Sequence, residues 1–139
     1  MSNSSGRVLV VEDDPLVRRG AVRFLVRAGF SVLEATDGEE AIELVRARSA
    51  ELDVVFLDLG LPGLSGTATL ARLRDLDATL PIVVVSGSDV ETLEVELQGG
   101  AVSFIQKPYY PRELVAAASE YRRGGPGLDP PPTEQGEMT

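Results

Sequence analysis

Asp53-Val54-Val55-Phe56-Leu57-Asp58-Leu59-Gly60-Leu61-Pro62-Gly63-Leu64-Ser65-Gly66 carries an apolar run that stops at an acidic residue and passes at once into turn chemistry. The run Val54-Val55-Phe56-Leu57 is short, unalternating and rich in β-branched and aromatic residues, the pattern of a parallel strand covered on both faces. Pro62, Gly63 and Gly66 stop that strand and prepare a helix start. Asp58 is therefore expected at the carboxyl end of a strand, the edge where open α/β sheets keep their sites. Taken singly, an Asp after a strand is more often a turn or cap residue, so the weight falls on what the other strand ends carry.

Upstream, Val8-Leu9-Val10-Val11 repeats the design and ends in Glu12-Asp13-Asp14-Pro15. Asp14 is the expected N-cap and Pro15 the first helical residue. Leu16, Val17, Ala21, Phe24, Leu25 and Ala28 form the apolar face of that helix, which stops at Gly29. Arg19, Arg23 and Arg27 recur every four residues on another face, read as solvated. A strand over Phe30–Ala35 precedes a helix capped by Thr36 or Asp37, with Ala41, Ile42, Leu44 and Val45 inward.

Downstream, Gly66–Leu76 reads as a helix with Leu70, Leu73 and Leu76 at threefold spacing. The strand Ile82-Val83-Val84-Val85 hands Ser86-Gly87-Ser88-Asp89 to a loop. Residues 90–98 read as a short acidic helix, 102–106 as a strand ending at Lys107-Pro108, and 111–123 as an amphipathic helix. Residues 124–139 are Gly, Pro and acid with hardly an apolar side chain, the composition of a disordered tail or linker. Strands alternating with helical patterns predict an α/β fold, a doubly wound five-stranded parallel sheet.

The 139 residues have room for one domain, and a hydrophobic content of 43% is ordinary for a globular core. The formal charge of −9 argues against direct nucleic-acid binding, which needs clustered Lys and Arg. The absence of Cys excludes disulfides and thiolate metal sites and allows an intracellular location. No apolar run is long enough to span a bilayer, and the first six residues, polar and uncharged, do not read as a signal peptide.

The predicted carboxyl edge gathers Glu12, Asp13, Asp58, Ser86 and Lys107. Three carboxylates at one edge repel each other, so one takes up a proton or the group binds a cation. Oxygen ligands without His or Cys suit a hard ion, and Mg²⁺ fits a site with few protein ligands. Such an ion would make Asp58 a usable nucleophile towards a phosphoryl group, with Lys107 as a second positive charge and Ser86 as a hydroxyl donor.

The order Val10-Val11-Glu12-Asp13-Asp14-Pro15, Leu57-Asp58-Leu59-Gly60-Leu61-Pro62 with Gly66, Val85-Ser86-Gly87, and Gly100-Ala101-Val102-Ser103-Phe104-Ile105-Gln106-Lys107-Pro108 resembles the receiver domain of bacterial two-component response regulators. The resemblance covers residues 7–123 and implies a flavodoxin-like (βα)5 three-layer sandwich. It implies that Asp58 is the phosphoacceptor, charged by a histidine kinase or phosphotransfer protein. Glu12, Asp13, Asp58 and the backbone carbonyl of Gly60 would hold Mg²⁺ or Mn²⁺. Lys107 would contact the phosphoryl oxygens, Lys107-Pro108 would be a cis peptide, and Ser86 and Phe104 would be the switch pair. The helix over 90–98, the last strand and the last helix would form the face for a downstream protein partner.

The same resemblance implies a cytoplasmic protein, off the membrane, monomeric or weakly dimeric on phosphorylation. It would be no enzyme beyond Mg²⁺-dependent self-phosphorylation and weak autodephosphorylation. The chain departs from the commonest pattern in placing Glu12 at the first acidic position and the small Gly60 and Ser88 where side chains usually tune water access. The segment from Ser86 to Lys107 is also one residue shorter than in many relatives. An aspartyl phosphohydrolase of the haloacid-dehalogenase type needs a second Asp where Gly60 stands. A dinucleotide or flavin site would be repelled by Glu12-Asp13-Asp14. The remaining alternative is a receiver module from a longer DNA-binding regulator or hybrid histidine kinase.

Overall fold

Alternate residues of each central strand enter opposite cores, which is why the strand runs do not alternate in polarity. Leu9, Val11, Val55, Leu57, Ile82 and Val84 pack to one side of the sheet. Val8, Val10, Val54, Phe56, Val83 and Val85 pack to the other. Each such buried Val, Leu or Phe contributes about 1.5–3 kcal/mol. The computed structural model describes residues 6–61, 63–87 and 103–121.

Among the described residues nine main elements follow in order: β1 Gly6–Val11, α1 Pro15–Arg27, β2 Phe30–Ala35, α2 Gly38–Arg48, β3 Val54–Asp58, α3 Gly66–Leu76, β4 Ile82–Ser86, β5 Ser103–Gln106 and α4 Pro111–Glu120. A 3₁₀ turn, Ser49–Glu51, joins α2 to β3. The five strands are parallel in the order β2-β1-β3-β4-β5. This is the doubly wound, flavodoxin-like arrangement expected from the sequence. The helix expected over residues 90–98 lies outside the described residues.

Ala41, Ile42 and Val45 of α2 with Leu70 and Leu73 of α3 cover the first face. Ala21 and Leu25 of α1 with Leu114 and Ala118 of α4 cover the second. At the amino edge, Asp53 ties β3 to β1: its N–H donates to Arg7 O (2.8 Å) and its carboxylate accepts from Arg7 N (2.8 Å).

The helix starts follow the sequence closely. Asp14 caps α1, its carboxylate accepting from Leu16 N and Val17 N, with Pro15 following at N1. Asp37, rather than Thr36, caps α2 by accepting from Glu40 N, while Glu40 reaches back to Thr36 N and Oγ1. Ser65 caps α3. Gly29, with φ of 100°, turns the chain out of α1 in a conformation that glycine adopts without strain.

The apolar face of α1 is wider than the core it meets. Ala21 and Leu25 are buried, but Leu16 is 79% exposed and Val17 and Phe24 are also exposed. With Pro108, Tyr109 and Pro111 they line a surface groove of about 380 Å³. Leu76, which shares the threefold spacing of Leu70 and Leu73 on α3, is exposed while those two are buried.

Candidate functional site

The parallel ladder places each strand end beside the next. Val11 lies opposite Leu57, Asp58 opposite Val85, and Ser86 opposite Gln106. Beyond each strand one more bond fixes the edge: Glu12 N donates to Ala35 O (3.0 Å), Leu59 N to Val85 O (3.0 Å) and Lys107 N to Ser86 O (2.8 Å). Glu12, Asp58, Ser86 and Lys107 thus leave one edge of the sheet together.

Asp58 is the last residue of β3 and only 5% exposed. Its Oδ1 accepts from Gly60 N at 2.9 Å and its Oδ2 from Lys107 Nζ at 2.9 Å. Glu12, 6% exposed, accepts from Asp14 N through Oε2 (3.1 Å), and its Oε1 lies 3.5 Å from Lys107 Nζ. Asp13 is exposed, and carboxylate oxygens of Glu12, Asp13 and Asp58 all lie within 4.8 Å of one another. Asp14 turns away to cap α1, which is why three consecutive acids contribute two to the cluster.

The electrostatics follow from crowding. Burial, chiefly, with the nearby charge of Asp58, pushes the Glu12 carboxyl from 4.5 up to about 7, against the lowering effect of the Asp14 N–H. Burial pulls the Lys107 ammonium down, but its bond to Asp58 and the charges of Asp58 and Glu12 outweigh this and leave it raised. One ammonium does not neutralise three carboxylates. A compact set of carboxylate oxygens with no nitrogen or sulfur donor, itself short of positive charge, fits a small hard divalent cation.

Ser86, at the end of β4, is buried, and Phe104 on β5 is half-buried against the core beneath α2 and α3. The Lys107-Pro108 peptide is cis, as the resemblance implies. Ser88 and the acidic helix expected over 90–98 lie outside the described residues, as do residues 122–139.

Two residues at this edge escape a reading of the sequence. Tyr109, half-buried, lines a small space with Glu12, Asp58 and Phe56, and burial and Glu12 raise its phenol. Arg18 donates through Nη1 to the carbonyl of Glu12 (2.9 Å) and, more weakly, to that of Asp13 (3.5 Å). The arginines at fourfold spacing on α1 draw attention away from Arg18. The usable signal is its position, one helical turn after the N-cap on the side facing β2.

Residues 8–119 match the response regulator receiver domain family. The chain is 37% identical over 123 residues to the alkaline phosphatase synthesis transcriptional regulatory protein SphR of Synechococcus elongatus, covering 83% of this chain and 48% of that protein. It is 34% identical over 136 residues to the transcriptional regulatory protein TcrA of Mycobacterium tuberculosis, covering 97% of this chain and 53% of that one. The chain therefore spans about half the length of these curated relatives. Among solved structures it superposes with a CheY-like response regulator receiver domain protein of Methanospirillum hungatei, with a TM-score of 0.74, 26% identity, and 83% and 91% of the two chains covered. Among the described residues no helix is long and apolar enough to cross a membrane. Both the family match and the acid-and-lysine edge run through the same strand ends, and the chain belongs to the response regulator receiver domain family of two-component signalling.

Proposed function

We propose that Asp58 accepts a phosphoryl group from a histidine kinase or a histidine phosphotransfer protein, and that the domain then presents an altered face to a downstream protein. The observation that carries this reading is Asp58 itself, a buried carboxylate bonded to Lys107 and clustered with two further acids. Glu12, Asp13, Asp58 and the Gly60 carbonyl would hold Mg²⁺ or Mn²⁺, which when bound offsets the repulsion between the Asp58 carboxylate and an incoming phosphoryl group. Gly60 N–H and Lys107 each take one Asp58 oxygen, so that one stays oriented by the backbone. Lys107 is placed to exchange its bond with Asp58 for one to the phosphoryl oxygens.

Ser86 and Phe104 are the switch pair in this reading. The Ser86 hydroxyl donates to the new phosphoryl group, and Phe104, with no phenol hydroxyl to satisfy, moves further inward. The partner face is formed by residues 90–98, β5 and α4. Residues 7–123 act as one switching unit in the cytoplasm, with residues 124–139 as a tail or linker. The unit carries out self-phosphorylation and slow autodephosphorylation and has no other substrate. It works as a monomer or a weak phosphorylation-dependent dimer and does not itself touch nucleic acid or membrane.

A second reading keeps the receiver and adds an output domain, as in a DNA-binding regulator or hybrid kinase. The half-length match to two transcriptional regulators is consistent with it. Incubation with acetyl phosphate and Mg²⁺ tests the shared core of both readings. A single hydroxylamine-sensitive phosphoryl adduct is expected on Asp58, and undiminished labelling of Asp58→Asn would overturn it.

A further inference from the structure

The acidic loop between β1 and α1 must hold two like-charged side chains beside a third, and its backbone needs a restraint that side-chain repulsion cannot supply. Capping by Asp14 fixes the end nearest the helix. At the other end Glu12 N donates to Ala35 O on β2. Between these points the carbonyls of Glu12 and Asp13 both turn towards α1, where the Arg18 guanidinium meets them at 2.9 and 3.5 Å. The Nε of Arg18 lies 3.1 Å from Glu34 Oε1 on β2, and the arginine side chain is only 15% exposed. One planar group therefore spans α1, β2 and the loop.

We infer that Arg18, braced by Glu34, is a positioning residue for the cation site, holding the Glu12-Asp13 backbone so that both carboxylates face Asp58. The inference rests on the proposed cation site but adds a residue that touches neither cation nor phosphoryl group. A planar guanidinium donates along several fixed directions at once, which suits gripping two successive carbonyls while paired elsewhere. Groups that orient metal ligands typically govern affinity by about 10–100-fold.

The sign of the effect separates positioning from charge. Removing a cation beside an acidic site lowers repulsion towards Mg²⁺ and, were that all Arg18 did, would tighten binding. Positioning requires the opposite.

The test is the Mg²⁺ dissociation constant by isothermal titration calorimetry, with amide NMR of the loop, on the full chain and at a temperature where each variant is folded. Arg18→Ala is expected to bind Mg²⁺ about tenfold more weakly and to shift the metal-free amide signals of Asp13 and Asp14. Arg18→Lys, able to reach one carbonyl, should fall between Arg18→Ala and the parent. Arg46→Ala, which removes the same charge from an exposed pair with Glu43, should leave the constant unchanged. Equal or tighter Mg²⁺ binding by both Arg18 variants overturns the inference while the cation site stands. A parent chain that binds no Mg²⁺ overturns both.

Discussion

A Cβ on Gly66 would stand 2.3 Å from the Cα of Leu59 and 2.7 Å from its carbonyl oxygen. The first residue of α3 thus lies directly against the backbone that follows Asp58, and no side chain can be fitted between them. Because the obstacle is backbone, Gly66→Ala must push α3 or the Asp58 loop outward, at a cost of about 1–3 kcal/mol. Gly63, with φ of 70° and open space around it, carries only the conformational cost of a left-handed residue, about 1–2 kcal/mol. Thermal or urea denaturation should place Gly66→Ala below Gly63→Ala, and Mg²⁺ binding should weaken only in the former.

Carboxylate crowding makes the metal-free edge a source of instability. Asp13→Asn removes one charge from the exposed side of the cluster, so it is expected to melt higher than the parent without Mg²⁺ and to bind the ion less tightly. In the parent, Mg²⁺ at tenfold excess over Kd should add about 1.4 kcal/mol. A melting temperature indifferent to millimolar Mg²⁺ would count against the cluster as a cation site.

Glu12 gives the fold a pH dependence with a defined sign. Its carboxyl is raised from 4.5 to about 7 in the folded chain, so the folded state binds more protons than the unfolded one between those values. The associated stability is fully present below about pH 4.5 and is lost as pH rises through about 7. Glu12→Gln should flatten this part of the metal-free stability curve. Mg²⁺ affinity should run the other way, falling as pH drops below about 7, since the ion requires the ionised carboxylate. Denaturation and Mg²⁺ titration across pH 5–8 measure both.

The switch can be separated from the acceptor. In the proposed switch Ser86 contributes a hydroxyl and Asp58 the reacting oxygen, so Ser86→Ala should still gain phosphate while responding less. Amide NMR with and without beryllofluoride should show reduced shifts around Phe104 in this variant. Full parental shifts would remove Ser86 from the coupling.

The sheet, its parallel sense and the position of Asp58 are legible in the sequence because a strand buried on both faces admits apolar residues only. An acid can then enter only where the strand ends. Caps are legible for a similar reason, since Asp14 and Asp37 answer a local demand for N–H acceptors. The exposed flank of α1 is not, because periodicity reports which residues share a face and not how far a neighbouring helix reaches across it. Nor is the bond between Lys107 and Asp58 legible from spacing alone: it depends on β4 lying between their strands, a fact of topology. Arg18 is hidden because the bonds that tie it to the acidic loop are to backbone carbonyls, which leave no mark in the sequence, and Glu34 is distant along the chain.

The all-parallel order of the strands also governs how the site comes into being. No two neighbouring strands are joined by a hairpin, so every pairing closes a long loop and the sheet gains little until several crossovers are in place. In a chain that had paired β1 with β3 but not yet added β5, Glu12, Asp13 and Asp58 would already be pressed together without the ammonium of Lys107. The acidic edge thus penalises the half-assembled sheet more than the finished one and favours all-or-none folding. Under the proposed function the chemistry needs Lys107 beside Asp58, so labelling of Asp58 would at the same time report that β5 has joined the sheet.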